Sequence, residues 1–186
     1  MQIANIISNS TIYGIGNRFV IWTQGCTLKC QGCWNKQMWS KTGGTFYTLD
    51  QILNLITNTP NIEGVTILGG EPFQQYPQLL TLAQAIHKLD LSLMIYTGYE
   101  IHELKEQNQT EIFAYTDILL TGRYEQNKRN TNLQWVGSDN QEIHFLSSRY
   151  HPTQMTNANY VEININEMGQ IQMLGFPDMN DWRDIL

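Results

Sequence analysis

Apolar and polar positions along the chain recur with two periods, near two and near three to four residues, and the changes between them predict alternating strands and helices. Arg18 to Thr23 alternates and predicts a first strand, delivering the loop after it at its C-terminal end. Thr48 with Gln51 forms a capping-box signature ahead of Ile52, Leu53, Leu55 and Ile56, so a helix follows and ends near Pro60. Val65 to Leu68 is a short buried strand running into Gly69-Gly70-Glu71-Pro72. A second helix, from Pro77 to about Leu89, sets Leu79, Leu82, Ala83 and Ile86 on one face, and Leu91 to Thr97 is a third strand. Glu100 to Tyr115 reads as helix with a break around Asn108, and Asp117 to Leu120 as a fourth strand. Glu142 to Leu146 is the last strand of the core. Tyr160 to Asn164 and Gln170 to Leu174 alternate around Asn166-Glu167-Met168-Gly169, the pattern of a terminal hairpin. The motifs fall after the strands, on the edge where an open parallel sheet binds its ligands.

Composition narrows the class. A chain of 186 residues holds one domain with a sizeable core and is too short for a complete eightfold α/β barrel. Hydrophobic residues make up 41%, charged residues 15% and the formal net charge is -6, so no basic surface for nucleic acid is expected. MQIANIISNS carries no basic leader pattern, and no segment approaches the length needed to span a bilayer. A soluble, cytoplasmic protein without a membrane partner is the expectation. Glu125 to Asn132 is polar and reads as a loop, and the four histidines are scattered without a constellation.

The only cysteines, Cys26, Cys30 and Cys33, sit in one C-x3-C-x2-C stretch. Three thiolates leave one corner of a cubane iron-sulfur cluster without a protein ligand, whereas an electron-transfer cluster is normally held by four. Structural zinc needs four closed ligands, and no histidine lies near the loop. An odd cysteine count in a chain without a leader also argues against disulfides. Gly25 and Gly32 either let backbone N–H groups approach the cluster sulfurs or are ordinary turn glycines.

The cysteine loop followed by Gly69-Gly70-Glu71-Pro72 resembles the radical S-adenosylmethionine (SAM) superfamily. Tyr13-Gly14-Ile15-Gly16-Asn17-Arg18, Gly32-Cys33-Trp34-Asn35, Tyr96-Thr97-Gly98-Tyr99, Asp117 to Arg123 and Gly137-Ser138-Asp139-Asn140-Gln141 narrow the likeness. In that order they resemble the activating proteins of anaerobic ribonucleoside-triphosphate reductase and their stand-alone paralogues. The resemblance implies an α/β fold: a partial TIM-type barrel of about five to six mostly parallel strands. It implies a single domain over residues 1–186, with its core at about 13–146 and a hairpin extension at about 150–186.

The implied chemistry is reductive cleavage of SAM at one [4Fe-4S] cluster held by Cys26, Cys30 and Cys33, giving a 5'-deoxyadenosyl radical. Hydrogen abstraction from a polypeptide, as by a glycyl-radical activase, is the leading expectation. A stand-alone enzyme acting on a peptide or small molecule, or a non-catalytic iron-sulfur module, are the alternatives. Gly69, Gly70, Glu71 and Pro72 would grip the methionyl amino group, and Thr97 would contact the cofactor. Trp34 would stack on the adenine or the cluster, or simply fill core space, and Asn35 would fix the loop through its amide. No catalytic side chain is expected beyond the cluster and cofactor site. Arg18 is a candidate to face an anionic group. Flavodoxin or ferredoxin is the implied electron donor, and a glycyl-radical protein or another polypeptide the implied substrate. Thr121 departs from the pattern, which has an Asp before the glycine; loss of that carboxylate would remove a candidate cation ligand.

Overall fold

The computed structural model describes residues 1–175 apart from 157, 159 and 166. Seven strands form one sheet: β1 (Gln2–Ser10), β2 (Arg18–Thr23), β3 (Thr45–Phe46), β4 (Gly64–Gly69), β5 (Ser92–Tyr96), β6 (Ile118–Thr121) and β7 (Glu142–Phe145). Their order is β3-β1-β2-β4-β5-β6-β7. The four central strands β2, β4, β5 and β6 are parallel, while β1, β3 and β7 pair antiparallel at the flanks. A separate antiparallel hairpin, β8 (Val161–Ile165) with β9 (Ile171–Gly175), follows as expected. Asn166, in its expected turn, and the part of the expected extension beyond 175 lie outside the described residues.

The period-two pattern sorts the side chains between two faces. Phe19, Ile21, Val65, Ile67, Leu93, Ile95 and Leu119 turn to one face. There they meet Ile52 and Ile56 of α1 (Leu49–Thr57), Leu79, Leu82, Ala83 and Ile86 of α2 (Tyr76–Lys88), and Leu104 of α3 (Ile101–Glu106). Val20, Trp22, Leu68, Met94, Ile118 and Leu120 turn to the other face and pack against Tyr13, Met38, Trp135, Val136, Tyr150 and Leu174. Helices therefore cover one face, and loops with the hairpin cover the second.

Thr48 and Gln51 form the expected reciprocal cap at the start of α1, with Thr48 Oγ1 accepting from Gln51 N at 3.2 Å and Gln51 Oε1 from Thr48 N at 2.9 Å. Asn108 breaks the third helical segment by taking a left-handed φ of 55°, after which Glu111–Tyr115 continues as a 3-10 turn. β1 lies in the first ten residues, where no strand was expected, and is the longest strand among the described residues. Register shifts between Ile3 and Asn5 and between Ile7 and Ser10 disturb the alternation that would have marked it.

Arg18 lies at the N-terminal ends of the parallel strands, fully buried, with the carboxylates of Glu63 and Asp117 near enough to act on its charge. Its guanidinium donates to Thr66 Oγ1 (2.7 Å), Ser92 Oγ (2.8 Å), and the carbonyls of Ile15 (3.1 Å), Val65 (2.6 Å) and Ser92 (3.2 Å). It ties the feet of β2, β4 and β5 together, at the edge opposite the motif-bearing turns.

Candidate functional site

Four strand ends and the loops behind them surround one cleft. Cys26, Cys30, Cys33, Trp34, Asn35, Gly69, Gly70, Glu71, Thr97 and Gly98 all contribute to its lining. Most of the expected site residues are thus brought together; Pro72 is not in the lining but starts the 3-10 turn that carries the chain away from Glu71.

The cysteine loop is closed at its neck by the protein's own backbone. Gly25 N donates to Met38 O at 2.8 Å, and Cys26 N to Trp39 O at 3.1 Å. The Gly25 N–H is therefore committed to a carbonyl and is not a donor to a cluster sulfur. Asn35 N donates to Cys33 Sγ at 3.4 Å, and the backbone amides of Leu28 and Lys29 favour the thiolate of Cys26 as that of Tyr124 favours the thiolate of Cys30. Burial pushes the thiols of Cys26 and Cys30 up, and their amides oppose it; Arg123 adds a positive charge acting on Cys30. The side-chain amide of Asn35 makes no bond to loop backbone.

The second turn is joined to that neck. Gly70 N donates to Thr23 O at 2.7 Å and Glu71 N to Gly25 O at 2.9 Å. A Cβ on Gly70 would stand 2.4 Å from Gly25 O, so this glycine is required by the approach of two backbones. The Glu71 carboxylate is buried and turned toward the third strand end. Oε1 accepts from Phe73 N (3.0 Å) and Thr97 Oγ1 (2.8 Å), and Oε2 from Gly98 N (2.8 Å). The single hydroxyl proton of Thr97 is thereby spent on Glu71. Burial pushes the Glu71 carboxyl up to about 7, against the three donors and Arg123. A carboxylate offers about four acceptor positions, which leaves one on Oε2 for an occupant.

A fourth segment closes the far side. Gln141 Oε1 accepts from Gly137 N (2.9 Å), and its amide nitrogen donates to Gly122 O (3.0 Å); Asn140 Nδ2 donates to Arg123 O (2.8 Å). Arg123 is held by two bonds to Glu103, at 2.6 and 2.7 Å, which draws that carboxyl down to about 2. Thr121 is elsewhere: it alternates with Leu120 onto the helix-covered face and sits 2.9 Å from His144 Nε2. The departure at Thr121 therefore lies outside the cleft lining.

The cleft sets three thiols beside a buried carboxylate. Three cysteines line it, and among the described residues no group of three His, Cys, Asp or Glu is gathered closely enough for a single metal ion. Zinc needs its ligands at one point, whereas a cubane takes each thiolate on a different iron. Tyr96 and Trp39 also line the cleft, with their polar atoms buried and without a partner among the described residues. Trp39 and Trp135 were not singled out from sequence, because nothing local marks a residue that reaches the cleft from a loop.

The chain matches the family described as 4Fe-4S single cluster domain over residues 12–144. It is 32% identical to the anaerobic ribonucleoside-triphosphate reductase-activating protein of Enterobacteria phage T4 over 141 residues, 71% of this chain and 86% of that one. The protein of the same name from Pasteurella multocida is 35% identical over 142 residues, 72% and 90% of the two chains. This chain belongs to the anaerobic ribonucleoside-triphosphate reductase-activating protein family. The likeness first read from Gly32-Cys33-Trp34-Asn35 and the later motifs is thus borne out. The crystal structure of QueE from Escherichia coli overlays with a TM-score of 0.43 at 22% identity, covering 52% of this chain and 51% of that one. Among the described residues, no helix is long and apolar enough to cross a membrane.

Proposed function

We propose that this chain is a radical SAM activase that abstracts a hydrogen from a glycine of a partner polypeptide. The observation that carries the reading is the convergence of the cysteine loop, the Gly70-Glu71 turn, the Thr97-Gly98 turn and the Gly122-Arg123 turn on one cleft. Cys26, Cys30 and Cys33 would hold a [4Fe-4S] cluster, and Gly69, Gly70, Glu71, Pro72, Thr97, Trp34 and Asn35 would surround the cofactor. The bound pair supplies the electron and the sulfonium that yield a 5'-deoxyadenosyl radical and methionine.

The chain's own residues do the positioning. Glu71 presents its remaining acceptor position to the methionyl ammonium, while its other bonds lock the second and third turns together. Amides of Leu28, Lys29 and Tyr124 stabilise the thiolates, as does the fixed charge of Arg123. Flavodoxin or ferredoxin would deliver the electron. The fold that goes with this reading is an incomplete TIM-type barrel in a single domain of residues 1–186. A stand-alone enzyme with another substrate is the second reading, and the position of Thr121 outside the cleft lining gives it less weight than the sequence did.

The test is direct. The reconstituted, reduced protein, mixed without oxygen with SAM and the anaerobic reductase of the same genome, should produce a glycyl-radical doublet in EPR together with 5'-deoxyadenosine. 5'-Deoxyadenosine without a glycyl radical on any cognate protein removes the activase reading in favour of the stand-alone one.

Glu71 adds a pH signature. With its carboxyl at about 7 in the free protein, it is near half-protonated at neutral pH. An arriving ammonium favours the carboxylate and lowers that pKa, so SAM binding near pH 7 should release up to about half a proton. Calorimetry in two buffers of different ionisation enthalpy measures the number. A release that is the same in Glu71→Gln would mean that no donor of SAM comes to Glu71.

A further inference from the structure

We propose that the outer edge of β9 pairs with an extended segment of the partner polypeptide and leads its glycine into the cleft. The inference rests on the activase reading above. It gives the hairpin, which lies outside the residues matched by the family, a part in recognising the substrate.

The hairpin wears its apolar side outward. Residues opposite one another in an antiparallel pair share a face, so Ile163 with Met173 and Ile165 with Ile171 make one face, and Glu162 with Leu174 and Asn164 with Gln172 the other. The second face lies on the protein: Leu174 is buried in one cluster with Tyr13, Trp22, Met38 and Leu68, and Glu162 accepts from Ser10 Oγ at 2.9 Å. On the first face Ile163, Ile165 and Ile171 are 43%, 67% and 60% exposed. A sheet with one wet face normally puts its polar side there.

The edge of β9 is open beside this face. Gly175 N donates to Tyr13 Oη at 2.9 Å, so it points away from Val161, its neighbour on β8. Backbone direction alternates along a strand, so Met173 and Ile171 also turn their N–H and C=O groups away from β8, while Leu174 and Gln172 face it. Among the described residues, neither Met173 nor Ile171 has a backbone partner on that outer side.

That edge lines a groove. Residues 172–175 form one wall, and Trp34, Asn35, Gln37 and Met38 of the cysteine-loop segment form another. Trp34, Asn35 and Leu68 line both this groove and the cleft, so the two are continuous. N–H and C=O pairs repeated at roughly 7 Å, the spacing of alternate strand residues, match the backbone of an extended chain. SAM carries no such repeat. An open edge with apolar side chains beside it is a template for strand addition, and the occupant that needs to reach this cleft is the glycine-bearing polypeptide.

The experiment uses the reconstituted holoprotein, SAM and the intact anaerobic reductase of the same genome. Glycyl-radical formation is followed by EPR against reductase concentration. Met173→Pro removes an N–H of the edge and no bond to β8, a position where a strand tolerates proline. The half-saturating reductase concentration should rise about tenfold, the loss of one hydrogen bond. Met173→Leu, which keeps the N–H, should recover the wild-type value. Amide hydrogen exchange on the wild-type holoprotein, with its cluster oxidised, needs no variant: the Ile171 and Met173 amides should slow about tenfold or more when reductase and SAM are added.

Unchanged exchange at both amides, with a reductase that does acquire the glycyl radical, overturns the proposal, and this measurement decides alone if proline unravels the hairpin. So does a half-saturating concentration in Met173→Pro equal to that of wild type, or one that rises in step with a loss of SAM affinity, which would place the effect in the cleft. A wild-type holoprotein that forms no glycyl radical is a different result: it removes the activase reading, on which this edge depends.

Discussion

Cys30→Ala is expected to abolish a SAM-responsive cluster. Wild-type protein reconstituted without oxygen should carry about four irons and four sulfides per chain. Its reduced EPR signal should shift when SAM is added. Cys30 is the thiol that receives the Tyr124 amide and the Arg123 charge, so it links the cysteine loop to the fourth turn of the cleft. Alanine removes an iron ligand and leaves that amide without its sulfur. Iron and sulfide analysis with EPR checks both effects, and a variant that still holds a cluster responding to SAM would refute the ligand assignment.

Gly70→Val should be nearly as damaging, through a different route. The position has no room for a Cβ, which would meet Gly25 O at 2.4 Å and Gly25 C at 2.9 Å, both backbone atoms. Relief requires the second turn and the cysteine-loop neck to part, which breaks the bonds from Gly70 N to Thr23 O and from Glu71 N to Gly25 O. A loss of about 1–3 kcal/mol in stability is expected from the overpacking, together with reduced cluster loading and weaker SAM binding. Gly98→Ala is the control, because its Cβ would meet the flexible end of Leu28, at 2.4 Å from Cδ1, which can rotate aside. Denaturant unfolding and iron analysis on the two variants separate a backbone junction from ordinary crowding. Wild-type loading in Gly70→Val would show the junction to be pliable.

How much could be read from residues alone follows from how local each signal was. The cleft's main motifs were legible because each stands directly after a short apolar run: Cys26 after β2, Glu71 after β4 and Thr97 after β5. The cap at Thr48 and the break at Asn108 were legible for the same reason, since side chains a few residues apart decide them. Long-range pairings were not. β1 carries two register shifts, so its side chains never keep a clean period of two. β7 was recognised as a strand, but its antiparallel direction depends on the path taken by residues 122–141. Arg18 looked available for an anion because arginine is seldom fully buried, and the five acceptors that satisfy it come mostly from β4 and β5. Glu71 was expected to reach outward to a ligand, yet three of its four acceptor positions are occupied by groups of the protein. Its position in the sequence identified the site, and the donors around it define how much of the carboxylate remains for binding.

The neck of the cysteine loop has a consequence for survival in air. Gly25 and Cys26 bond to Met38 and Trp39, and Gly70 and Glu71 bond to Thr23 and Gly25. In small metal-dependent domains the ion supplies the folding energy and its removal unfolds the chain. Here four amide-to-carbonyl bonds tie the loop's frame to its neighbours. Oxygen that strips the iron should therefore leave a folded protein with its thiols still presented at the cleft, so that damage ends in an empty socket that a fresh cluster can refill.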